Sequence, residues 1–366
     1  MEQLNKVLTK HIDKSRFPGI QWQINIRDQI YSGKVGYNNI ETKETVLDNT
    51  IYRIWSMTKP VVAIAALQLL EKNKLNLDDL ITKYLPEFSK LKVLKDKYSK
   101  IDETEELKVD LTIKDLFLHT AGFSYNFLAD PIGRRYDEIR LFHSDTTTLE
   151  EEIKKLAEVP LLYQPRKNWV YSVSMDVLGR ILEIILNDSL QNILQKNIFD
   201  PLEMGETKFT IPFDSESRLM QTYEYDQIND KLTHLKNEPQ KIGNFKYPLY
   251  EKNYARGGHG LFSTTEDYSK LCKVILADLT KNTKQLISKE LLGFALKNQL
   301  PLDQIPIKIN GEARKGYGWN LIGRVKTSDS KILRNYQLGE FGWAGAASTY
   351  FWIDPDLKIT GTVMTQ

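Results

Sequence analysis

Residues 52–70 read Tyr52-Arg53-Ile54-Trp55-Ser56-Met57-Thr58-Lys59-Pro60 and then an apolar run from Val61 to Leu70 broken only by Gln68. A run apolar nearly all round is the pattern of a helix in the protein interior. Spacing of three puts Ser56 and Lys59 on one face of that helix, a turn apart, so the amine reaches the hydroxyl. A serine hydroxyl becomes a useful nucleophile once a neighbouring base takes its proton. Burial and the helix N-terminus both work against a charge on Lys59, and the free N–H groups of the same terminus, that of Ser56 included, suit an oxyanion. A capping serine beside a snorkelling lysine would give the same tetrad, and this segment alone does not separate the two readings. Ser89–Lys92 and Ser328–Lys331 also fit S-x-x-K, but they stand in polar stretches where chance suffices.

Outward from this helix, both chain ends read as strand. Ile20, Trp22, Ile24 and Ile26 alternate with Gln21, Gln23 and Asn25, the period of a half-buried strand, and a turn at Asp28-Gln29 leads into a second strand over Ile30–Tyr37. Ser348–Ile353 and Leu357–Thr365 are rich in β-branched and aromatic residues on either side of Asp354-Pro355-Asp356. Leu4, Val7, Leu8 and Ile12 recur at helical spacing, which is not the unbroken apolar stretch of a signal peptide. The middle of the chain is helical: Thr148 and Glu151 form a capping box, and Val177, Leu178, Ile181, Leu182 and Ile185 follow a start near Ser172 or Ser174. Lys95–Asp110 reads as a solvated loop. The outline is an α/β sheet domain from residues 1–75 and 255–366, interrupted by a mostly helical domain over 76–254, with the site between them.

Composition narrows the function. Among 366 residues, 50 Lys and Arg against 48 Asp and Glu leave a net charge of +2, too balanced for a nucleic-acid-binding face. The apolar stretch at 61–70 is half of what a membrane span needs, so no membrane partner is expected. Cys272 is the lone cysteine, which excludes an internal disulfide and makes a reducing, cytoplasmic location the default. The five histidines are scattered, and G-x-S-x-G, phosphate-loop and H-E-x-x-H patterns are absent, so neither a metal nor a cofactor is expected.

Two further segments carry chemistry. Tyr171-Ser172-Val173 precedes the Val177–Ile185 helix, where a tyrosine is either a buried anchor or a proton carrier. Trp343-Ala344-Gly345-Ala346-Ala347 leads into the last strands, and such small residues let a substrate approach backbone N–H groups.

In this order, Ser56–Lys59, Leu111–Gly122, Tyr171–Val173, Pro201–Gly205, Gly257–Thr264 and Trp343–Pro355 resemble the serine β-lactamase and penicillin-binding superfamily. The similarity is greatest to its class C β-lactamase-like branch and to family VIII carboxylesterases. The resemblance implies an antiparallel sheet flanked by helices, with Ser56 as nucleophile, Lys59 and Tyr171 as proton shuttle, and the N–H groups of Ser56 and Ala346 as oxyanion hole. It also places Trp55, Val173, Trp343, Ala344 and Gly345 around the substrate, with His119 and His259 structural.

Departures from the β-lactamase pattern point to the substrate. Val173 stands where those enzymes carry an asparagine, and Trp343-Ala344-Gly345 stands in place of K-T-G. Charge-assisted recognition of a β-lactam carboxylate is thereby lost, which favours small uncharged esters. Ala344 for glycine in W-G-G, and Pro165-Arg166 for Pro-Gly, depart from the esterases without removing a catalytic group. An amidase, a D-aminopeptidase-like peptidase or a weak β-lactamase would use the same residues; an inactive scaffold or filament-forming member would not use them. The resemblance implies that relatives continue past the point matching Gln366 into a helix covering one sheet face; either the chain is cut short or another segment or subunit covers that face, and an exposed apolar face would favour a homodimer or instability.

Overall fold

The computed structural model describes residues 2–27, 29–235, 247–309, 311–327 and 339–366. Asp28 of the expected turn, the Ser328–Lys331 tetrad and residues 236–246 lie outside the described residues.

Both chain ends build one antiparallel sheet. Its strands are β1 (Gly19–Ile26), β2 (Gln29–Asn39), β3 (Glu44–Thr45), β4 (Tyr317–Trp319), β5 (Arg324–Lys326), β6 (Phe341–Ala344), β7 (Tyr350–Asp354) and β8 (Ile359–Met364), in the order β4-β5-β6-β7-β8-β1-β2-β3. The first and last strands are partners, with Gln21 opposite Met364 and Ile26 opposite Ile359.

The expected alternation along β1 holds only in part. Ile20 and Trp22 are buried, but Ile26 is exposed, while Gln21 and Asn25 are buried. The reason is that helices pack on both faces of this part of the sheet. Helix α1 (Glu2–Asp13) lies on one face, where Asn5 accepts from the Trp22 indole at 3.0 Å. The other face carries the helix Thr265–Lys281, whose Thr265 hydroxyl donates to Gln21 at 3.0 Å. A polar side chain is retained in the interior where it has such partners. Lys95–Asp110 is a second departure: Thr104–Glu106 is a strand paired with Lys92–Leu94, and the rest of the stretch is mostly exposed.

The apolar run of the sequence forms α2 (Thr58–Glu71), buried from Thr58 through Leu69. A helix enclosed on all sides must be apolar on all sides, which is what its sequence gives. Against it packs α3 (Ser174–Leu186), and the Thr265–Lys281 helix is α4. The capping box at Thr148 is present: the Thr148 hydroxyl accepts from the Glu151 N–H, and the Glu151 carboxylate accepts from the Thr148 N–H at 2.7 Å. Among the described residues no helix is long and apolar enough to cross a membrane.

Candidate active site

Ser56 sits in a turn of 3-10 helix, Trp55–Met57, that runs directly into α2. It is partly exposed, whereas its neighbours on both sides are buried. Lys59, one turn along, has its Nζ 3.1 Å from the Ser56 Oγ and donates to the Gly258 carbonyl at 2.7 Å. The ammonium position lies over two tyrosine rings, 4.7 Å from that of Tyr171 and 5.2 Å from that of Tyr125. Burial drives the Lys59 pKa down to about 7, and the negative charge of Asp176 opposes that fall. Taking an ammonium out of water disfavours its charged form, so much of Lys59 is the free base near neutrality.

Tyr171 comes from the segment just before α3. Its oxygen accepts from the Trp343 indole at 3.0 Å, and its hydroxyl is hydrogen-bonded with Ser56. Burial raises its pKa, and these two hydrogen bonds only partly offset the rise. Tyr171 therefore rests as a neutral phenol. Around it stand His119, Trp169, Trp319, Trp343 and Tyr125, with ring centroids 5.0 to 6.3 Å away.

The Gly345 turn docks beside the serine. A side chain at Gly345 would come within 2.5 Å of the Ile54 carbonyl and 2.1 Å of the Thr349 hydroxyl, so only glycine lets the end of β6 approach this closely. Ala344 and Ala346 are exposed at this edge, and Trp343 is buried beneath it. Val173 is the residue just ahead of α3 and presents no polar side-chain atom. Trp55 is 2 % exposed, and its ring packs against Tyr247 at 4.8 Å and His259 at 6.0 Å. Its backbone is left-handed, with φ +45°.

His119 is fully buried, and its Nδ1 accepts from the Ser172 N–H at 3.2 Å. Burial, and then the charge of Lys59, hold its pKa well below the ordinary value, so it stays neutral. His259 is likewise held neutral by burial, with its Nε2 2.8 Å from the Tyr254 hydroxyl.

Sequence reasoning missed Asp176, Tyr125 and Trp319. Asp176 is fully buried in the first turn of α3; its Oδ1 accepts from the Gly258 N–H at 2.9 Å, and the carbonyl of the same Gly258 accepts from Lys59, so one residue bridges Asp176 and Lys59 through two successive peptides. An acid in a helix first turn ordinarily reads as a partner of the helix dipole, which hid it. A buried base beside a serine hydroxyl, backed by a phenol, is the apparatus of nucleophilic acyl transfer.

The beta-lactamase family profile matches residues 4–366. The chain belongs to the beta-lactamase family. Protein Rv1367c of Mycobacterium tuberculosis (strain ATCC 25618 / H37Rv) is 31% identical over 331 residues, 89% of this chain and 80% of that protein. Esterase EstB of Burkholderia gladioli is 24% identical over 355 residues, 92% of this chain and 82% of that protein. Among solved structures, EstCE1, a hydrolase with promiscuous acyltransferase activity, superposes with a TM-score of 0.82 at 22% identity, covering 100% of this chain and 92% of that one. The antiparallel sheet flanked by helices is thus the class C-like architecture of this beta-lactamase family.

Proposed function

We propose that this chain is a serine hydrolase that cleaves small uncharged carboxylic esters through an acyl-enzyme on Ser56. Lys59 takes the Ser56 proton as Oγ bonds to the ester carbonyl carbon. The resulting oxyanion is received by the N–H groups of Ser56 and Ala346. As the bond to the alcohol breaks, Tyr171 gives its proton to the leaving oxygen and recovers one from Lys59. Water then attacks the acyl-enzyme with the same groups in reverse, releasing the acid. An alcohol replacing that water gives acyl transfer, the promiscuous activity of EstCE1.

One observation carries the preference for an uncharged ester. Where K-T-G would put an ammonium, Trp343 offers a single polar atom, and that N–H is spent on Tyr171 at 3.0 Å. With Val173 apolar as well, a carboxylate on the substrate has no partner there. The relationship to Esterase EstB supports the same reading. Ser56→Ala should abolish turnover of p-nitrophenyl butyrate, and intact mass after brief exposure to the ester should show the acyl adduct only on the unmutated protein. Undiminished turnover in Ser56→Ala overturns the assignment, and a preference for nitrocefin over the ester overturns the substrate class.

The division into residues 1–75 with 255–366 and residues 76–254, with the site between them, belongs to this proposal. It is supported by a main sheet drawn from residues 19–45 and 317–364. A cytoplasmic location is supported by Cys272, a buried free thiol. A homodimer is supported by the half-buried side chains of Tyr350, Trp352 and Val363 on one sheet face, and sedimentation as a monomer would overturn it.

A further inference from the structure

The residue before the nucleophile holds an unfavourable backbone. Trp55 has φ +45°, a conformation that is strained for an ordinary L-residue and persists only where the surroundings impose it. Both of its peptide groups are tied. Its carbonyl accepts from the Thr58 N–H. Its N–H donates to the Tyr247 hydroxyl at 3.2 Å, and that hydroxyl in turn donates to the Leu261 carbonyl. Leu261 braces the same turn twice more: its carbonyl accepts from the Ile54 N–H at 3.0 Å, and its N–H donates to the Thr58 hydroxyl at 3.3 Å. The Tyr247 ring, 3 % exposed, packs at 4.8 Å on the Trp55 indole.

The Trp55 carbonyl and the Ser56 N–H belong to one planar peptide. Whatever fixes Trp55 therefore fixes the direction of the Ser56 N–H. We propose that Tyr247 is a positioning residue for catalysis, its hydroxyl holding Trp55 left-handed so that the Ser56 N–H is aimed at the oxyanion. This rests on the acyl-enzyme reading above and adds to it a residue, some 190 positions away in the chain, that touches neither substrate nor nucleophile. Without the hydroxyl, the Trp55 N–H is buried with no acceptor, and the turn relaxes toward negative φ, carrying the Ser56 N–H with it.

The test compares two variants that each delete one hydroxyl and keep the ring. Tyr247→Phe removes the brace. Tyr223→Phe is its match elsewhere, because the Tyr223 hydroxyl also bridges a backbone N–H, that of Ile40 at 2.8 Å, and an acceptor, Glu41 at 2.6 Å. Both variants should lose a similar few degrees of Tm. Only Tyr247→Phe should lose kcat on p-nitrophenyl butyrate, by about ten- to a hundredfold with KM within about twofold, since losing an oxyanion donor outright costs about 10²–10³. Its inactivation by a fluorophosphonate, whose adduct fills the same oxyanion position, should slow in parallel. Equal kcat in the two variants overturns the positioning role. Ser56→Ala is run beside them: if it stays active the acyl-enzyme reading falls, whereas if it is dead and Tyr247→Phe turns over like Tyr223→Phe, the role of Tyr247 alone falls.

Discussion

Replacing Asp176 by asparagine should move the acid limb of the ester-hydrolysis profile to lower pH. Asp176 is fully buried, one of its oxygens is held by the Gly258 N–H at 2.9 Å, and its charge opposes the burial-driven fall of the Lys59 pKa. Asparagine keeps an acceptor oxygen for Gly258 and removes only the charge. An opposite charge a few ångströms away shifts a pKa by about one to three units. Lys59, already lowered to about 7, therefore drops further in the variant. The working form is the free amine, so a lower pKa preserves activity in acid. One and a half pH units below its pKa, a base is about 3 % deprotonated; with the pKa one unit lower, that fraction becomes about a quarter. At the alkaline plateau the variant is slower, because a weaker base removes the Ser56 proton less readily. The measurement is kcat/KM for p-nitrophenyl butyrate from pH 5 to 9, with Tm recorded at each pH. An acid limb that stays in place or moves upward refutes the reasoning.

Tyr171→Phe should lower kcat by about 10²–10⁴, the usual worth of a positioned proton carrier, with KM little changed; activity within fivefold of the unmutated protein would contradict the shuttle. Arg166 holds φ +67° and makes three hydrogen bonds to the buried Asp115 carboxylate, at 3.0 to 3.2 Å. Arg166→Ala should cost about 1–2 kcal/mol in urea denaturation, and Arg166→Gly about 1 kcal/mol less than alanine because glycine accepts that φ without strain. Equal losses would show that the backbone is not strained there. Cys272 is fully buried, and burial pushes its thiol up to about 12, so Ellman's reagent should label it only on unfolding; labelling of folded protein at the rate of a free thiol would contradict the packing around α4.

What the sequence made legible follows from how far apart the interacting residues lie. Ser56 and Lys59 share a helix turn, so their spacing alone places the amine at the hydroxyl. The strands at the two ends were legible through composition, but their pairing, Gln21 with Met364, was not, because a register between strands more than 300 residues apart leaves no local pattern. Gln21 and Asn25 misread as solvent-facing because a period of two reports which face is apolar, and here both faces meet helices. The left-handed backbone of Trp55 was not legible, because nothing in sequence announces such a residue when it is not glycine. Gly257 and Gly258 were visible as glycines, but their reason was not: a side chain at Gly257 would come within 1.9 Å of the Met175 carbonyl at the start of α3. Asp176, Tyr125 and Tyr247 reach the site from separate segments and leave no local pattern.

The substitution of Arg166 for glycine shows how such a departure is absorbed. The turn keeps the left-handed backbone that glycine would adopt freely, and the side chain that makes the turn costly also supplies the ion pair with Asp115 that offsets the cost. Asp115 is the third residue of the helix Ile113–Phe117 and closes its capping box with Thr112, so the arginine ties the turn ahead of Tyr171 to the helix that ends beside His119. The same compensation governs the site itself. Burial pushes Lys59 toward free amine and Tyr171 toward neutral phenol, so both directions have one cause. An apolar surround that makes a lysine a usable base near neutrality also makes a charged acyl group expensive to admit. On the proposed reading, choice of base and choice of substrate share one physical cause, burial, and an ammonium installed at position 343 to attract carboxylates would depress Lys59 further by repulsion while freeing Tyr171 of its indole donor.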